Sequence, residues 1–266
     1  MREHSTMTAA SSPVLWLFDF DNTLAHLEPV VNWPALRAQV STILERAGAP
    51  RAITEPVPLR SLSMYDGYRA LLERSRPAPG SEAVAVLARI SMLIEKYELA
   101  EVDRAKPLDG ALDLLRAIAA AKLRAGVVTS NSSVTAARWL RRYRVAGAIG
   151  FIVGRDSGLA LKPAPAMLRR ALAIAVARAR DAVLVGDSEA DLRAARAARV
   201  RFIGVASDDA ARDRLIAGGA AEIYSSPAAL GIHLNLIRPH PNGASSRRDR
   251  ATAPESEPLE SLRKHR

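Results

Sequence analysis

Short apolar runs alternate along the chain with longer stretches in which apolar residues recur at a helical period. The runs lie at 14–18, 125–129, 149–154, 182–187 and 201–206. They are rich in β-branched residues and continuous rather than alternating, which is typical of parallel strands covered on both faces. Four helical stretches alternate with the last four apolar runs and lie at 110–121, 133–143, 163–179 and 189–198. This order of elements predicts an α/β fold with a parallel sheet and right-handed crossovers.

The pattern is interrupted between the first two runs. About 100 residues separate Asp19 from the run at 125–129, far more than one crossover connection needs. Helical patterns lie there at 33–47, about 59–74 and 81–100, and Asn32 and Pro34 suit the start of the first helix. Its predicted apolar face consists of Leu36, Val40, Ile43, Leu44 and Ala47. We therefore predict a core at 14–27 and 106–236 and an all-helical insertion, a cap, at 28–105 over the carboxyl ends of the strands.

Composition limits the class of protein. The chain has 266 residues, of which 48% are hydrophobic and 25% charged, as expected for a globular protein with a sizeable core. Residues 1–13 and 237–266 are polar or rich in Pro, Ser and charge, so both ends are predicted to be disordered. No apolar run approaches the roughly 18 residues of a membrane span, and the first residues lack a signal peptide. Cytoplasmic localisation without a membrane partner is the expectation.

The net charge and the absence of cysteine limit the kinds of molecule that the chain is expected to bind. The chain lacks cysteine, which excludes disulfides and thiolate zinc sites, and its formal net charge is +10. The arginines are scattered among alanines on predicted helices, and only 5% of the residues are aromatic, so no stacking surface for nucleic acid is visible. Nucleic-acid binding is therefore not favoured, whereas a positive field suits a small phosphorylated substrate. The oligomeric state stays open.

Polar residues end three of the apolar runs. Asp19, Thr129 and Asp187 stand at these positions. The carboxyl ends of parallel strands meet at one edge of a sheet, so we expect these residues to converge there with Asp21 and Lys162. Several carboxylates at one edge repel one another without a cation, and hard oxygen ligands favour Mg²⁺. Such a site suits a phosphoryl group: an Asp carboxylate is a nucleophile, and a second acid serves as the proton donor.

Four motifs at these positions, in order, resemble those of the haloacid dehalogenase (HAD) superfamily. "DFDNT" at 19–23 resembles its DxDxT motif, and "GVVTSN" at 126–131 resembles the apolar strand ending in Thr or Ser. "KPAP" at 162–165 resembles the lysine motif, and "VGDSEAD" at 185–191 matches the GDxxxD form. The closing segment up to about 230 is similar to phosphoglycolate phosphatase-like members. The resemblance implies a Rossmann-like core with an inserted helical cap.

The resemblance also implies a role for each matching residue. Asp19 would be the nucleophile and a Mg²⁺ ligand, and Asp21 would be the acid/base with its backbone carbonyl on the metal. Asp187 would bind Mg²⁺, and Asp191 would support the metal shell. The candidates for binding the substrate phosphate are Thr129, Ser130, Asn131 and Lys162. Thr129 is preferred to Ser130 for the hydroxyl that faces the phosphate, because Thr129 directly ends the apolar run.

The resulting hypothesis is a Mg²⁺-dependent phosphomonoester hydrolase that acts through an aspartyl-phosphate. Asp21 supports phosphate esters, because relatives that cleave halides or phosphonates lack an acid at this place. A phosphosugar mutase and a non-catalytic binding protein for a phosphometabolite or nucleic acid are the alternatives. Phosphoglycolate, sugar phosphates and nucleoside monophosphates all remain candidate substrates. Cap residues that could meet the substrate, although helix packing explains them equally well, are Arg60, Tyr65, Tyr68, Arg69 and Arg74.

Overall fold

A six-stranded parallel sheet forms the centre of the protein. The computed structural model describes residues 15–56 and 60–238. The strands are β1 (Leu15–Phe18), β4 (Arg124–Val128), β5 (Phe151–Val153), β6 (Ala182–Gly186), β7 (Arg201–Val205) and β8 (Ile223–Tyr224). Their order across the sheet is β5-β4-β1-β6-β7-β8. The predicted α/β fold with a Rossmann-like parallel sheet is confirmed. The predictions for residues 1–13 and 239–266 lie outside the described residues.

The position of β1 at the centre of the sheet explains its apolar sequence. It pairs in parallel with β4 on one side and with β6 on the other, so that Phe18 lies between Val127 and Val185. Trp16 and Phe18 enter the hydrophobic cluster on one face of the sheet, whereas Leu15 and Leu17 enter the cluster on the other face. Because both faces are covered, every position of β1 must be apolar up to the strand end at Asp19.

Two short elements of the sheet region have no clear signal in the sequence. The strand β8 has only two residues, and both are half-buried. A separate antiparallel pair joins β2 (Ala25–His26) to β3 (Lys106–Pro107). This pair connects the chain on the two sides of the long insertion. Elements of two residues carry no periodicity, so they follow from tertiary pairing alone.

Helices cover both faces of the sheet. They are α5 (Ala111–Ala120), α6 (Ser133–Arg142), α7 (Ala166–Ala175), α8 (Glu189–Ala198), α9 (Asp209–Ala217) and α10 (Pro227–His233). The helix predicted at 163–179 is too long at both ends. It ends before Val176, which adopts a left-handed conformation with φ of 47°. Such a conformation interrupts helical hydrogen bonding, and the apolar composition of the segment does not indicate it.

The long insertion contains four helices, which we call the inserted helices: α1 (Trp33–Arg46), α2 (Arg51–Thr54), α3 (Ser61–Ser75) and α4 (Glu82–Glu101). Asn32 caps α1 by accepting a hydrogen bond from the backbone N–H of Ala35 at 3.1 Å. The buried face of α1 consists of Leu36, Val40 and Leu44. The assignment of Ala47 to this face was wrong, because the helix ends at Arg46 and Ala47 is exposed.

α4 is the longest of the inserted helices, with 20 residues. It packs against α1 and α3, and its buried side includes Val86, Ile90 and Ile94. The spacing of four residues between these positions places them on one face of the helix. Within residues 15–56 and 60–238, no helix is both long and apolar enough to cross a membrane.

Replacing Leu17 in the centre of β1 tests the packing of the sheet. Leu17 is fully buried, so Leu17→Ala leaves a cavity and is expected to lower the free energy of unfolding by about 2–5 kcal/mol. Urea denaturation followed by circular dichroism measures the change. Met92→Ala is the control, because the Met92 side chain is 64% exposed and its loss should change stability by less than about 0.5 kcal/mol. Equal effects of the two variants would contradict the packing described here.

Candidate active site

A cleft of about 850 Å³ opens at the carboxyl edge of the sheet. Seven of the eight site residues predicted from the sequence line it: Asp19, Asp21, Ser130, Asn131, Lys162, Asp187 and Asp191. The eighth, Thr129, is fully buried beside it and is not among the lining residues. Residues of the inserted helices and of the segments that join them form the opposite wall, among them Trp33, Arg37 and Asp66. The cleft therefore lies between the sheet and the insertion.

Lys162 holds two carboxylates together at the base of the cleft. Its Nζ lies 2.5 Å from Oδ1 of Asp19 and 2.5 Å from Oδ1 of Asp191, and it also donates to the backbone oxygen of Val128 at 3.1 Å. The three charged side chains are at most 9% exposed. Because they share one low-dielectric environment, the single ammonium group offsets much of the repulsion between the two acids.

Asp191 reaches this position because of the glycine that precedes Asp187. A Cβ on Gly186 would lie 2.7 Å from Cβ and Cγ of Asp191, so any larger residue would displace this carboxylate. Asp191 is also the third residue of α8, and its Oδ2 accepts hydrogen bonds from the backbone N–H and the hydroxyl of Ser188. Ser188 is the N-cap and completes a capping box. The motif "GDSEAD" thus combines a strand end, a helix start and a site carboxylate.

Asp21 belongs to the turn that follows β1. Its Oδ1 accepts hydrogen bonds from the backbone N–H groups of Leu27 and Glu28, each at 2.9 Å. Asn22 follows with a φ of 56°, the left-handed conformation that asparagine tolerates. Burial raises the pKa of Asp21 to about 7; the Glu28 N–H lowers it in part, and the nearby Asp19 raises it. An acid with this pKa exchanges its proton near neutral pH.

The other acids of the cleft have raised pKa values as well. Burial raises the pKa of Asp19 to about 6 against the opposing effect of Lys162. Burial, followed by repulsion from Asp191 and Asp19, raises the pKa of Asp187 well above its usual range. Burial lowers the pKa of Lys162, but the attraction of Asp19 and Asp191 outweighs it, so that the net shift is upward. The site thus has more negative groups than its own lysine can neutralise.

The donor set fits a hard divalent cation. Carboxylate oxygens of Asp19, Asp187 and Asp191 lie within 4.8 Å of one another. They are oxygen ligands without competing sulfur or imidazole groups, as Mg²⁺ prefers. A cation at this place would also offset the repulsion that raises the pKa values of these acids. The predicted Mg²⁺ therefore agrees with the chemistry of the residues present.

The loop after β4, residues 129–132, forms another part of the cleft. The backbone N–H of Thr129 donates to Val153 at 3.0 Å, which continues the sheet by one residue. The Thr129 hydroxyl donates to Oδ1 of Asn131 at 3.0 Å and accepts from the Asn131 N–H at 3.1 Å. Ser130 is half-buried and lines the cleft. Ser130 and Asn131 therefore face the cleft, whereas Thr129 braces the loop from inside.

The inserted helices contribute residues that their sequence pattern only partly indicated. Of the five cap candidates, Arg60 lines the cleft. Tyr65 and Tyr68 are buried in helix packing, and Arg69 pairs with Asp66 and Glu73 of its own helix. Arg74 is exposed and is not among the lining residues.

Several residues near the cleft were not predicted, among them Arg37 on its wall and the buried pair Glu98 and Arg155 behind the loop after β4. Arg37 resembles many other arginines of the chain in its sequence context. Glu98 and Arg155 are 57 residues apart, so no local pattern connects them. The one available signal is the position of Glu98, which continues the apolar face of Ile90 and Ile94 by one further turn.

The raised pKa of Asp21 leads to a prediction about stability. In the folded protein Asp21 keeps its proton to about pH 7, whereas in the unfolded chain it ionises near 3.8. The folded state thus binds more protons over this range, so this residue lowers the free energy of unfolding as pH rises. In the presence of a chelator, Asp21→Asn should become more stable relative to the wild type between about pH 5 and about pH 8.

Urea denaturation at both pH values measures this difference. The amide oxygen of the variant still accepts hydrogen bonds, so the comparison isolates the charge. Asp113→Asn is the matched control, since Asp113 is 55% exposed and lies on α5. A difference between Asp21→Asn and the wild type that stays constant with pH would contradict the buried environment of Asp21.

Known proteins are similar to this chain in sequence and in fold. The family described as haloacid dehalogenase-like hydrolase matches residues 16–205. The phosphoglycolate phosphatase of Rhodospirillum rubrum is 31% identical over 231 residues, which cover 85% of this chain and 93% of that protein. The phosphoglycolate phosphatase of Neisseria meningitidis serogroup A is 28% identical over 227 residues, which cover 79% and 91%.

Among solved structures, that of CbbY from Rhodobacter sphaeroides in complex with phosphate aligns with a TM-score of 0.54. It covers 82% of this chain and 96% of that one at 22% identity, and therefore supports the fold. The family match spans the sheet from β1 to β7 and every acid at the base of the cleft. The chain therefore belongs to the haloacid dehalogenase-like hydrolase family and is a hydrolase of the phosphatase type.

Proposed function

We propose that the protein is a Mg²⁺-dependent phosphomonoester hydrolase that acts on a small phosphometabolite through an aspartyl-phosphate intermediate. The observation that carries this proposal is the arrangement at the base of the cleft. The carboxylate of Asp19 contacts Lys162. The carboxylates of Asp187 and Asp191 lie beside that of Asp19, and Asp21 follows Asp19 by two residues. A nucleophile, an acid, a cation and a site for a hard metal ion are together in one cleft, as phosphoryl transfer requires.

In the first step a carboxylate oxygen of Asp19 attacks the phosphorus of the ester. The bond between phosphorus and the ester oxygen breaks, and Asp21 donates its proton to that oxygen, so that the alcohol leaves neutral. The pKa of about 7 supports this role, because a considerable fraction of Asp21 is protonated at neutral pH. Lys162 contacts the carboxylate of Asp19 and would orient it for the attack.

In the second step water cleaves the acyl phosphate. Asp21, now ionised, takes a proton from the water as the water oxygen attacks phosphorus. The bond between phosphorus and Asp19 breaks, which regenerates the carboxylate and releases inorganic phosphate. One residue thus gives a proton in the first step and takes one in the second, which leaves the enzyme unchanged after each turnover.

Asp19, Asp187 and the backbone carbonyl of Asp21 would hold Mg²⁺, which supplies positive charge against the negative charge of the phosphoryl group. Asp191 would support this set indirectly, because its Oδ1 pairs with Lys162 and its Oδ2 accepts from Ser188. The metal ion would balance the charge of the site, because the acids that repel one another in its absence would gain a common partner.

The phosphoryl oxygens would be bound by Lys162 and by the loop after β4. Ser130 and Asn131 line the cleft. The Ser130 hydroxyl and the second N–H of the Asn131 amide, whose first N–H is donated to Glu98, would be the donors there. Thr129, the residue preferred from the sequence, has its hydroxyl on Asn131. With substrate bound, the Thr129 hydroxyl would rotate to donate to a phosphoryl oxygen. Without substrate, Thr129 holds Asn131 in place. We propose all four residues as the phosphate-binding set.

Phosphoglycolate is the first substrate to test, because two relatives with this named activity cover most of the chain. The residues that line the cleft give a chemical reason for testing phosphoglycolate. Arg37 and Arg60 lie on the wall opposite the sheet acids. A guanidinium group binds a carboxylate well, and phosphoglycolate carries one at the end remote from its phosphate. We propose that the segment at 28–105 acts as the cap and closes over the substrate before transfer.

Asp19→Asn tests the nucleophile. We expect kcat for phosphate release to fall by at least about a thousandfold, because an amide does not form the acyl phosphate. Phosphate release from a panel of phosphometabolites, measured with Mg²⁺ and with a chelator, gives the rate. Acid quench and peptide mapping of the wild type should locate the phosphoryl group on the peptide that contains Asp19.

Asp113→Asn is the matched control for this substitution and should keep wild-type activity. Turnover that survives in Asp19→Asn would contradict the mechanism. Activity that requires a bisphosphate primer would indicate a mutase, since the phosphoryl group would then pass to sugar rather than to water. No phosphate release from any ester by the wild type would overturn the hydrolase proposal.

Replacing the two arginines tests the choice of substrate. Arg37→Ala and Arg60→Ala are each expected to raise KM for phosphoglycolate about tenfold, the effect of losing one charge-assisted hydrogen bond. Their kcat/KM for methyl phosphate, which lacks a carboxylate, should stay unchanged. Arg89→Ala on α4 is the control, because Arg89 is exposed and is not among the cleft residues. Equal losses with both substrates would show that these arginines do not read the carboxylate.

A further inference from the structure

Glu98 and Arg155 form an ion pair from which solvent is completely excluded. Both side chains are 0% exposed, and Nη1 of Arg155 lies 2.8 Å from Oε1 of Glu98. A second bond joins Nη2 to Oε2 at 3.2 Å, so the pairing is bidentate. No step of the proposed mechanism uses either residue. A buried ion pair is costly to desolvate, and an apolar pair of similar size is often no less stable.

The pair connects the insertion to the sheet. Glu98 lies in the last turn of α4, whose earlier turns pack against α1 and α3. Arg155 follows β5 and approaches the loop after β4 from behind. Its Nη1 also donates to the backbone oxygen of Ser130 at 2.9 Å, and its Nη2 donates to that of Ser91 on α4 at 3.4 Å. One guanidinium group thus contacts both the loop and an inserted helix.

The Glu98 carboxylate fixes the orientation of Asn131. It accepts from Nδ2 of Asn131 at 3.0 Å and from the backbone N–H of Ser132 at 3.0 Å. Because an ionised carboxylate only accepts hydrogen bonds, the amide nitrogen of Asn131 must face Glu98. Its oxygen then faces the Thr129 hydroxyl, which donates to it at 3.0 Å. Glu98 therefore decides which end of the Asn131 amide points toward the interior of the loop.

The peptide group between Ser130 and Asn131 is held from two sides. Its carbonyl oxygen accepts from Arg155 at 2.9 Å, and its N–H donates to Oγ1 of Thr129 at 3.1 Å. Glu98 also accepts from the Thr135 hydroxyl at 3.1 Å, near the start of α6. Apart from its bonds to Arg155, the Glu98 carboxylate thus accepts hydrogen bonds only from the loop and from the first turn of α6. A negative charge is favourable at the start of a helix.

We propose that Glu98 is a positioning residue for phosphoryl transfer, and that with Arg155 it holds the loop at 129–132 in the geometry that binds the phosphoryl group and ties that geometry to the inserted helices. The proposal rests on the proposed function. Donors that must match the transition state gain from a rigid arrangement, because small displacements reduce the rate strongly. The carboxylate supplies such rigidity through acceptors that an apolar residue lacks.

Glu98→Gln tests this role, because it keeps the size of the side chain and removes the charge. Its amide nitrogen would face donors, so Asn131 loses its fixed orientation. We expect kcat to fall about ten- to a hundredfold and KM to rise about fivefold, because a misaligned loop binds the phosphoryl group less well in the ground state and much less well in the transition state. The affinity for inorganic phosphate, measured by calorimetry with Mg²⁺ present, should fall at least about fivefold.

Two further variants separate positioning from stability. Ile94→Ala lies one turn earlier on α4 and is fully buried, so it should lower Tm while kcat and phosphate affinity stay at the wild-type values. Glu98→Gln combined with Arg155→Met removes both charges. We expect its Tm to recover relative to Glu98→Gln alone, whereas kcat and phosphate affinity stay low.

The proposal is overturned if Glu98→Gln keeps wild-type kcat and phosphate affinity, or if the double variant regains both together with Tm. A wild type that binds inorganic phosphate in a Glu98-dependent manner but hydrolyses no ester would contradict the proposed function and leave the positioning role supported. A wild type that binds no inorganic phosphate would contradict both.

Discussion

The Nζ of Lys162 lies 2.5 Å from a carboxylate oxygen of Asp19 and 2.5 Å from one of Asp191, and solvent is nearly excluded from all three side chains. The rest of the site depends on this shared cation. Burial alone would protonate the acids, and repulsion would separate them. With Lys162 between them, a carboxylate at the end of β1 and one in the first turn of α8 stay together in a cleft that also contains Asp187. The backbone features nearby, such as the absence of a side chain at Gly186, serve this close approach.

A second buried charge pair has a comparable place on the other side of the cleft. Glu98 and Arg155 connect α4 to the loop after β4, whereas Lys162 connects Asp19 at the end of β1 to Asp191 on α8. Both arrangements use charges where an apolar core would suffice for packing, and both fix polar groups that face the cleft. These two sets of buried charges lie around one edge of the sheet, whereas apolar side chains fill its two faces.

The main strands were predictable because their sequences are constrained on both faces. Every residue of β1 and β6 is buried, so the runs are continuous, and each run stops where the cleft begins. The strand β8 escaped prediction because its two residues carry no period. The helix α7 ends earlier than its composition indicates, since Val176 takes a left-handed conformation that stops the helical hydrogen bonding.

The sequence by itself determined the sheet, the helical insertion and the acids that end the strands, because periodicity and strand-end position are local properties of a chain. Only the tertiary structure decided which groups meet: that Lys162 serves Asp19 and Asp191 together, that Thr129 turns toward Asn131, and that Glu98 pairs with Arg155. Such contacts join residues far apart in the chain, and no local pattern encodes the partner of a buried charge.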